Sequence, residues 1–169
     1  MNKPYIRRLI IYLSLVICHL PLVTGCGYTI QGRSSLPFDS ISIGNIVNKT
    51  FEPKLQDKMH IALADELMKN GFTLESNSPY RINGIINVFE LRTLSEKSGT
   101  AIEYEVIIRG DFKLTEPSGR TRDLRTHGVF IVSFSSSESL QSVIASKEKA
   151  IEKALKDFSS EIVASIIYQ

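Results

Sequence analysis

Ala101-Ile102-Glu103-Tyr104-Glu105-Val106-Ile107-Ile108-Arg109-Gly110-Asp111-Phe112-Lys113-Leu114-Thr115 alternates so regularly that it decides how the chain around it must fold. Ile102, Tyr104, Val106, Ile108, Phe112 and Leu114 fall on one side, and Glu103, Glu105, Arg109, Asp111 and Lys113 on the other. A period of two is that of a β-strand, and here one face is dry and the other wet. Such a strand needs partners beside it and a layer over its apolar face.

The partners lie on either side in sequence. Glu116-Pro117-Ser118-Gly119 places Pro and Gly as a type I turn requires. It leads into a strand from Thr121 to Phe134, with Leu124, Phe130, Val132 and Phe134 alternating, and so predicts an antiparallel hairpin. Upstream, Tyr80 to Leu94 reads as a long strand whose apolar parity switches from Tyr80, Ile82, Ile86 and Val88 to Phe89 and Leu91. One extra residue does that, so a bulge is predicted near Val88. Asp39 to Val47 is a short strand with Ile41, Ile43 and Val47 on one side, and Phe72 to Leu74 a brief extended piece before the Asn77-Ser78-Pro79 turn.

The covering layer is helical. Asn48-Lys49-Thr50-Phe51-Glu52-Pro53 turns into a helix predicted from Pro53 to Asn70, because Pro at a first helical position forfeits no hydrogen bond. Leu55, Met59, Ala62, Leu63 and Leu67 form its apolar stripe, and Asn70-Gly71 closes it. After a small polar link, Ser135 to Ser139, a second helix from Ser142 to Ile167 carries Ile144, Ile151, Ala154, Leu155, Phe158, Ile162 and Ile166 at helical spacing. Its other face, Lys147 to Asp157, mixes charges as a solvated helix does. The expected fold is an α+β two-layer sandwich, with an about four-stranded, mostly antiparallel sheet and two helices packed on one face. The free sheet face meets water or a partner.

Ahead of this domain, Lys3, Arg7 and Arg8 precede an apolar run from Leu9 to Val23 that is too short and too interrupted, by His19 and Pro21, to span a bilayer. The run ends at Leu22-Val23-Thr24-Gly25-Cys26, which has the small residues and thiol of a lipobox. The expected organisation is a cleaved lipoprotein signal peptide over residues 1–25, a lipidated tether over 26–38 beginning at Cys26, and one domain over 39–169. Acyl chains on Cys26 would tether the protein to a membrane without crossing it. Gly27 follows the cysteine where an Asp would retain the protein at the inner membrane, which favours the periplasmic side of the outer membrane.

Losing Lys3, Arg7 and Arg8 from 20 Lys+Arg, against 18 Asp+Glu, turns a small basic excess into a small acidic one. Overall charge therefore gives no reason to expect nucleic acid. Of the two cysteines Cys18 leaves with the signal, so no disulfide forms within the mature chain. His60 and His127 have no second His or Cys at ligand spacing, which argues against a zinc site. Phosphate loops and a Gly-x-Ser-x-Gly elbow are missing, and Glu103 and Glu105 read as a strand's polar face before they read as a catalytic pair. No cofactor, metal or catalytic residue is expected. Positive charge does gather at strand ends: Arg92 and Lys97 near one hairpin tip, and Lys113, Arg120, Arg122 and Arg125 around the other. A solvated rim accounts for most clusters of this kind; the sharper reading is contact with phosphates of an anionic lipid, which guanidinium groups bind bidentately.

Three stretches together carry a resemblance: Cys26-Gly27-Tyr28 with Gly32, Asn48-Lys49-Thr50 leading into Glu52-Pro53, and Lys97-Ser98-Gly99-Thr100-Ala101-Ile102-Glu103-Tyr104. In their succession, and in element order, the chain resembles the lipopolysaccharide-assembly lipoproteins of the LptE type. The resemblance implies a non-enzymatic protein lodged in the lumen of an outer-membrane β-barrel, LptD, where it acts as plug and assembly factor while lipopolysaccharide is delivered to the outer leaflet. It also implies that the polar sheet face and strand tips meet the barrel or the glycolipid. Lys97 matches the family's basic position before the hairpin glycine and is the first candidate for lipopolysaccharide contact; Arg120, Arg122 and Arg125 are candidates by charge alone. Longer family members continue past the last helix with a polar tail, whereas this sequence ends at Gln169. Two other classes stay open at this point: an auxiliary lipoprotein of an envelope ABC-type lipid transporter, and a lipid-anchored periplasmic hydrolase with a nucleophile and base assembled in space.

Overall fold

The sheet is built around one hairpin. In the computed structural model, which describes residue 8 and residues 36–97, 100–126, 130–135 and 139–168, β3 (Arg81–Lys97) and β4 (Thr100–Thr115) pair antiparallel along their whole length. The remaining strands are β1 (Ser40–Asn48), β2 (Thr73–Leu74), β5 (Thr121–Leu124) and β6 (Phe130–Ser135). They form a six-stranded sheet in the order β2-β1-β3-β4-β5, with β6 also on β4. Two helices, α1 (Leu55–Lys69) and α2 (Leu140–Ile167), complete the two layers. The expected α+β sandwich is what forms, with two strands more than expected. One of the two extra strands is β2, a two-residue parallel neighbour of β1; the other comes from division of the expected Thr121 to Phe134 strand.

That division follows from register. β5 sets Leu124 opposite Phe112, while β6 sets Phe130 opposite Ile108. Five positions thus separate Leu124 from Phe130 where only three, Arg109, Gly110 and Asp111, separate their partners on β4, so the two pairings are not one uninterrupted ladder. The surplus is even, so residues 130, 132 and 134 keep the parity of Leu124.

β1 and β3 are parallel, which needs a crossover, and α1 supplies it between β1 and β2. Within β1 three steps from Ile43 to Ile46 match two on β3, from Ile82 to Gly84. This bulge corrects the expected β1 face. Ile46, and not Val47, follows Ile41 into the core, and Val47 is left exposed. On β3 the predicted bulge is present between Ile86 and Val88. It moves the core-facing set from Ile82 and Ile86 to Phe89, opposite buried Ile108.

Both helices lay their stripes on this face. Leu55, Met59, Leu63 and Leu67 of α1 and Ile151, Ala154, Leu155, Phe158, Ile162 and Ile166 of α2 are buried with Ile41, Ile82, Ile86, Val106, Ile108, Phe112 and Leu114 of the sheet. Phe158 meets Phe112 edge to face at 5.2 Å between ring centroids. Phe112 lies over its cross-strand partner Gly84, where a Cβ would come within 2.2 Å of the ring, so any larger residue would displace it.

Helix ends differ from expectation at one of the two α1 termini. α1 begins at Leu55 behind Lys54, whose φ of 60° is left-handed, so Pro53 stands in the preceding turn instead of the first helical position. Its C-terminus is as the Asn70-Gly71 pair predicts: Gly71, at φ 83°, donates to the Met68 carbonyl and Phe72 to the Leu67 carbonyl, a Schellman closure. α2 starts two residues earlier than expected, at Leu140, where Ser139 Oγ accepts from the Ser142 N–H. Residues 31–169 fall in a single unit. Among the described residues no helix is long and apolar enough to cross a membrane.

Candidate functional site

Three surfaces hold the side chains that the sequence singles out. The first is the turn between β4 and β5. Its backbone is closed by Glu116 N–H to the Arg120 carbonyl and Gly119 N–H to the Glu116 carbonyl. Arg120 is exposed, and its guanidinium grips Glu116 through Nη2 at 2.8 Å and Nε at 3.1 Å. Arg122 lies opposite Leu114, so it shares the helix-facing side, half-buried with Nε shielded from solvent. Arg125 follows the end of β5, with its side chain exposed and its backbone N–H donated to Ser165 Oγ of α2 at 2.9 Å. Lys113 pairs with Asp123 across the strands at 3.3 Å on the outer face. Among the described residues every one of these cations but Arg125 has an anionic or enclosed setting, so the cluster is less positive than its sequence.

The second surface is the other end of the hairpin. Lys97 is the last residue of β3, opposite Thr100, and its side chain lies outside the described residues. From Thr100 to Thr115 a strand spans roughly 50 Å. Lys97 and the arginines are therefore at opposite ends of the sheet and form two separate places, not one site. Arg92, grouped with Lys97 by sequence, is neutralised by Glu105 at 3.0 Å and Glu90 at 3.2 Å. Glu105 is itself buried beneath that pairing, and Ile107 beside it on the outer face is only 4% exposed. The outer face is thus less uniformly wet than the alternation predicts; Glu103, Arg109, Asp111 and Lys113 remain exposed on it.

A third surface is marked in the sequence only by its turn. Asn48 Oδ1 accepts from the Thr50 N–H and hydroxyl, Thr50 Oγ1 accepts from the Glu52 N–H, and Asn48 Nδ2 donates to the Glu52 carbonyl. These bonds stiffen a turn whose Phe51 is fully exposed. The Glu52 carboxylate reaches Lys147 of α2 at 2.8 Å, and Lys147 Nζ sits 5.4 Å from the Phe89 ring centroid. Leu91 follows Phe89 on the same side of β3, and Leu140 and Ile144 precede Lys147 on α2; all three are exposed. The sequence marks the turn from Asn48 to Pro53, with an aromatic residue at Phe51, but not what it meets, since Ile144 and Leu91 look like ordinary members of buried stripes.

Other clefts offer little chemistry. A groove of about 500 Å³ between the helices is lined by Ile61, Ala62 and Leu155 with Lys58, Glu66 and Lys156 among its charges. Lys58 is ion-paired to Glu148, and Glu66 to Lys69. His60 is exposed on α1 beside Ser42, Glu75 and Ser76, and makes no hydrogen bond among the described residues. His127 and Cys26 lie outside the described residues. Among the described residues no three His, Cys, Asp or Glu side chains gather as metal ligands.

Comparison with solved structures finds the same fold in lipoproteins. The chain is similar to rare lipoprotein B from Shewanella oneidensis, with 14% identity, a TM-score of 0.56 and coverage of 75% of this chain and 92% of that one. It is also similar to a minor lipoprotein from Acinetobacter baumannii, with 14% identity, a TM-score of 0.51 and coverage of 78% and 92%. No curated protein matches it in sequence. The model of the family described as LptE, lipopolysaccharide-assembly, matches residues 38–166, from just ahead of β1 almost to the end of α2. Over that span the sheet, the crossover and both helices are accounted for, and the chain belongs to the LptE family of lipopolysaccharide assembly.

Proposed function

We propose that this protein is a non-enzymatic lipoprotein of the outer membrane, acylated at Cys26 and held on the periplasmic side. There it plugs and helps assemble an LptD-type β-barrel through which lipopolysaccharide reaches the outer leaflet. The observation that carries this reading is the one-sided construction of the sheet. Both helices cover one face, while the other presents Glu103, Arg109, Asp111 and Lys113 along an extended hairpin. A slab with one sealed and one charged face can fit inside a polar lumen by complementary charge. Lys97, Arg120, Arg122 and Arg125 are the proposed lipopolysaccharide contacts. Arg125 and Lys97 lead, since Arg120 is already held by Glu116 and Arg122 is half-buried.

A tagged chain purified from its own membranes should retain a large outer-membrane barrel, and mass spectrometry should find Cys26 as an acylated first residue. Purification without any barrel would defeat the reading. Lys97→Glu should weaken lipopolysaccharide binding severalfold and leave barrel retention unchanged; unaltered binding would remove Lys97 from the contact.

A further inference from the structure

β1 ends beside Ile86. Asn48 is its last register partner there, and the Lys49 N–H gives a closing bond to the Ile86 carbonyl at 2.9 Å. β3 runs on to Lys97 with β4 along one side and, among the described residues, no strand along the other. A strand edge left in this way is a template for another strand, and proteins commonly blunt it with bulges or like charges. Bulges do flank this one, between Ile86 and Val88 and between Thr93 and Ser95. Between them Val88 to Thr93 keep even register with β4, from Arg109 to Tyr104.

The order of side chains in that even stretch is self-complementary. Phe89-Glu90-Leu91-Arg92-Thr93, laid antiparallel on itself about Leu91, sets Glu90 opposite Arg92, Phe89 opposite Thr93 and Leu91 opposite Leu91. Opposite charges and aromatic with β-branched partners are the favourable cross-strand pairs. Glu90 and Arg92 side chains are 49% and 58% exposed, and the 3.2 Å contact they make within the chain can be exchanged for the same contact with a neighbour. Leu91, opposite buried Val106 and so on the helix side, is 42% exposed and would gain cover. An edge designed only to repel would carry one sign of charge, and this one carries both at mirrored positions.

We propose that two copies of this chain pair through the β3 edge, antiparallel about a two-fold axis at Leu91, with two reciprocal Glu90–Arg92 contacts. The proposal concerns the chain before a barrel encloses it, so it does not rest on the barrel reading and stands or falls separately from it. Sedimentation equilibrium of the intact chain in density-matched detergent should show a monomer–dimer equilibrium. Glu90→Arg should raise its dissociation constant about tenfold or more by opposing two like-charged pairs, and Glu90→Arg with Arg92→Glu should restore it. Arg92 also holds Glu105, so a second arm avoids altering that ion pair. Leu91→Cys should form a disulfide-linked dimer well above the parent chain's background, because directly opposed residues lie about 4.5–5.5 Å apart at Cα, within disulfide range. Ile61→Cys, on exposed α1, should not. A monomer at all concentrations, a dimer indifferent to Glu90→Arg, or equal cross-linking at positions 91 and 61 would overturn the proposal.

Discussion

The two halves of the β3–β4 hairpin share strands and alternation, yet differ in what surrounds them. In the near half, Arg81 to Ile86 lie between β1 and β4, β5 flanks β4, and Phe112 is sealed by Phe158. In the far half, Val88 to Lys97 have β4 as their one strand neighbour among the described residues, and Leu91 and Leu94 on β3 are exposed, as are Leu140 and Ile144 on α2. The same apolar period thus makes a core along the near half of β3 and leaves Leu91 and Leu94 at the surface along its far half, although Val106 and Ile108 of β4, which β6 flanks, stay buried there. Burial belongs to the neighbours a strand acquires, and stability should follow it.

Phe158→Ala should test this most severely, costing about 3–5 kcal/mol in urea unfolding by removing the ring that seals Phe112. A loss below about 1 kcal/mol would mean the near half is not the stabilising one. Gly84→Val should cost about 1–3 kcal/mol, since its side chain would enter the space of the Phe112 ring. Pairing it with Phe112→Leu should return part of that loss, and strict additivity would break the explanation. At the junction of the halves, Glu52→Ala should cost about 1 kcal/mol by leaving Lys147 over Phe89 without its carboxylate. Leu91→Ser should change the stability of dilute chain by less than about 0.5 kcal/mol. A larger effect there would erase the distinction between the halves.

Much of the near half is legible in the sequence because period and propensity agree there. The β4 alternation, the parity switch that signals the bulge before Val88, and Asn70-Gly71 at the end of α1 each leave a local mark. What escapes depends on partners. Ile46 replaces Val47 in the core only because β1 bulges against β3, and nothing in Ile43-Gly44-Asn45-Ile46 announces a parallel neighbour 38 positions away, where Asn45 N–H meets Asn83 Oδ1. The candidate basic site was legible as composition but not as geometry. Glu116, Glu90 and Glu105 lie close enough to claim Arg120 and Arg92, which a list of cations does not reveal. Ile144 sits at the right phase of its helix to be core, and is exposed because the covering layers end before it does.

The parallel pairing of β1 with β3 has a kinetic consequence. Lys97 and Thr100 meet across a turn, so the hairpin can close on the microsecond scale of local events, whereas Ser42 and Arg81 are separated by 39 positions and must wait for α1 to form and lie down. β1 therefore joins β3 after the hairpin has closed, and until it does, the whole outer length of β3 stands open to any competing strand.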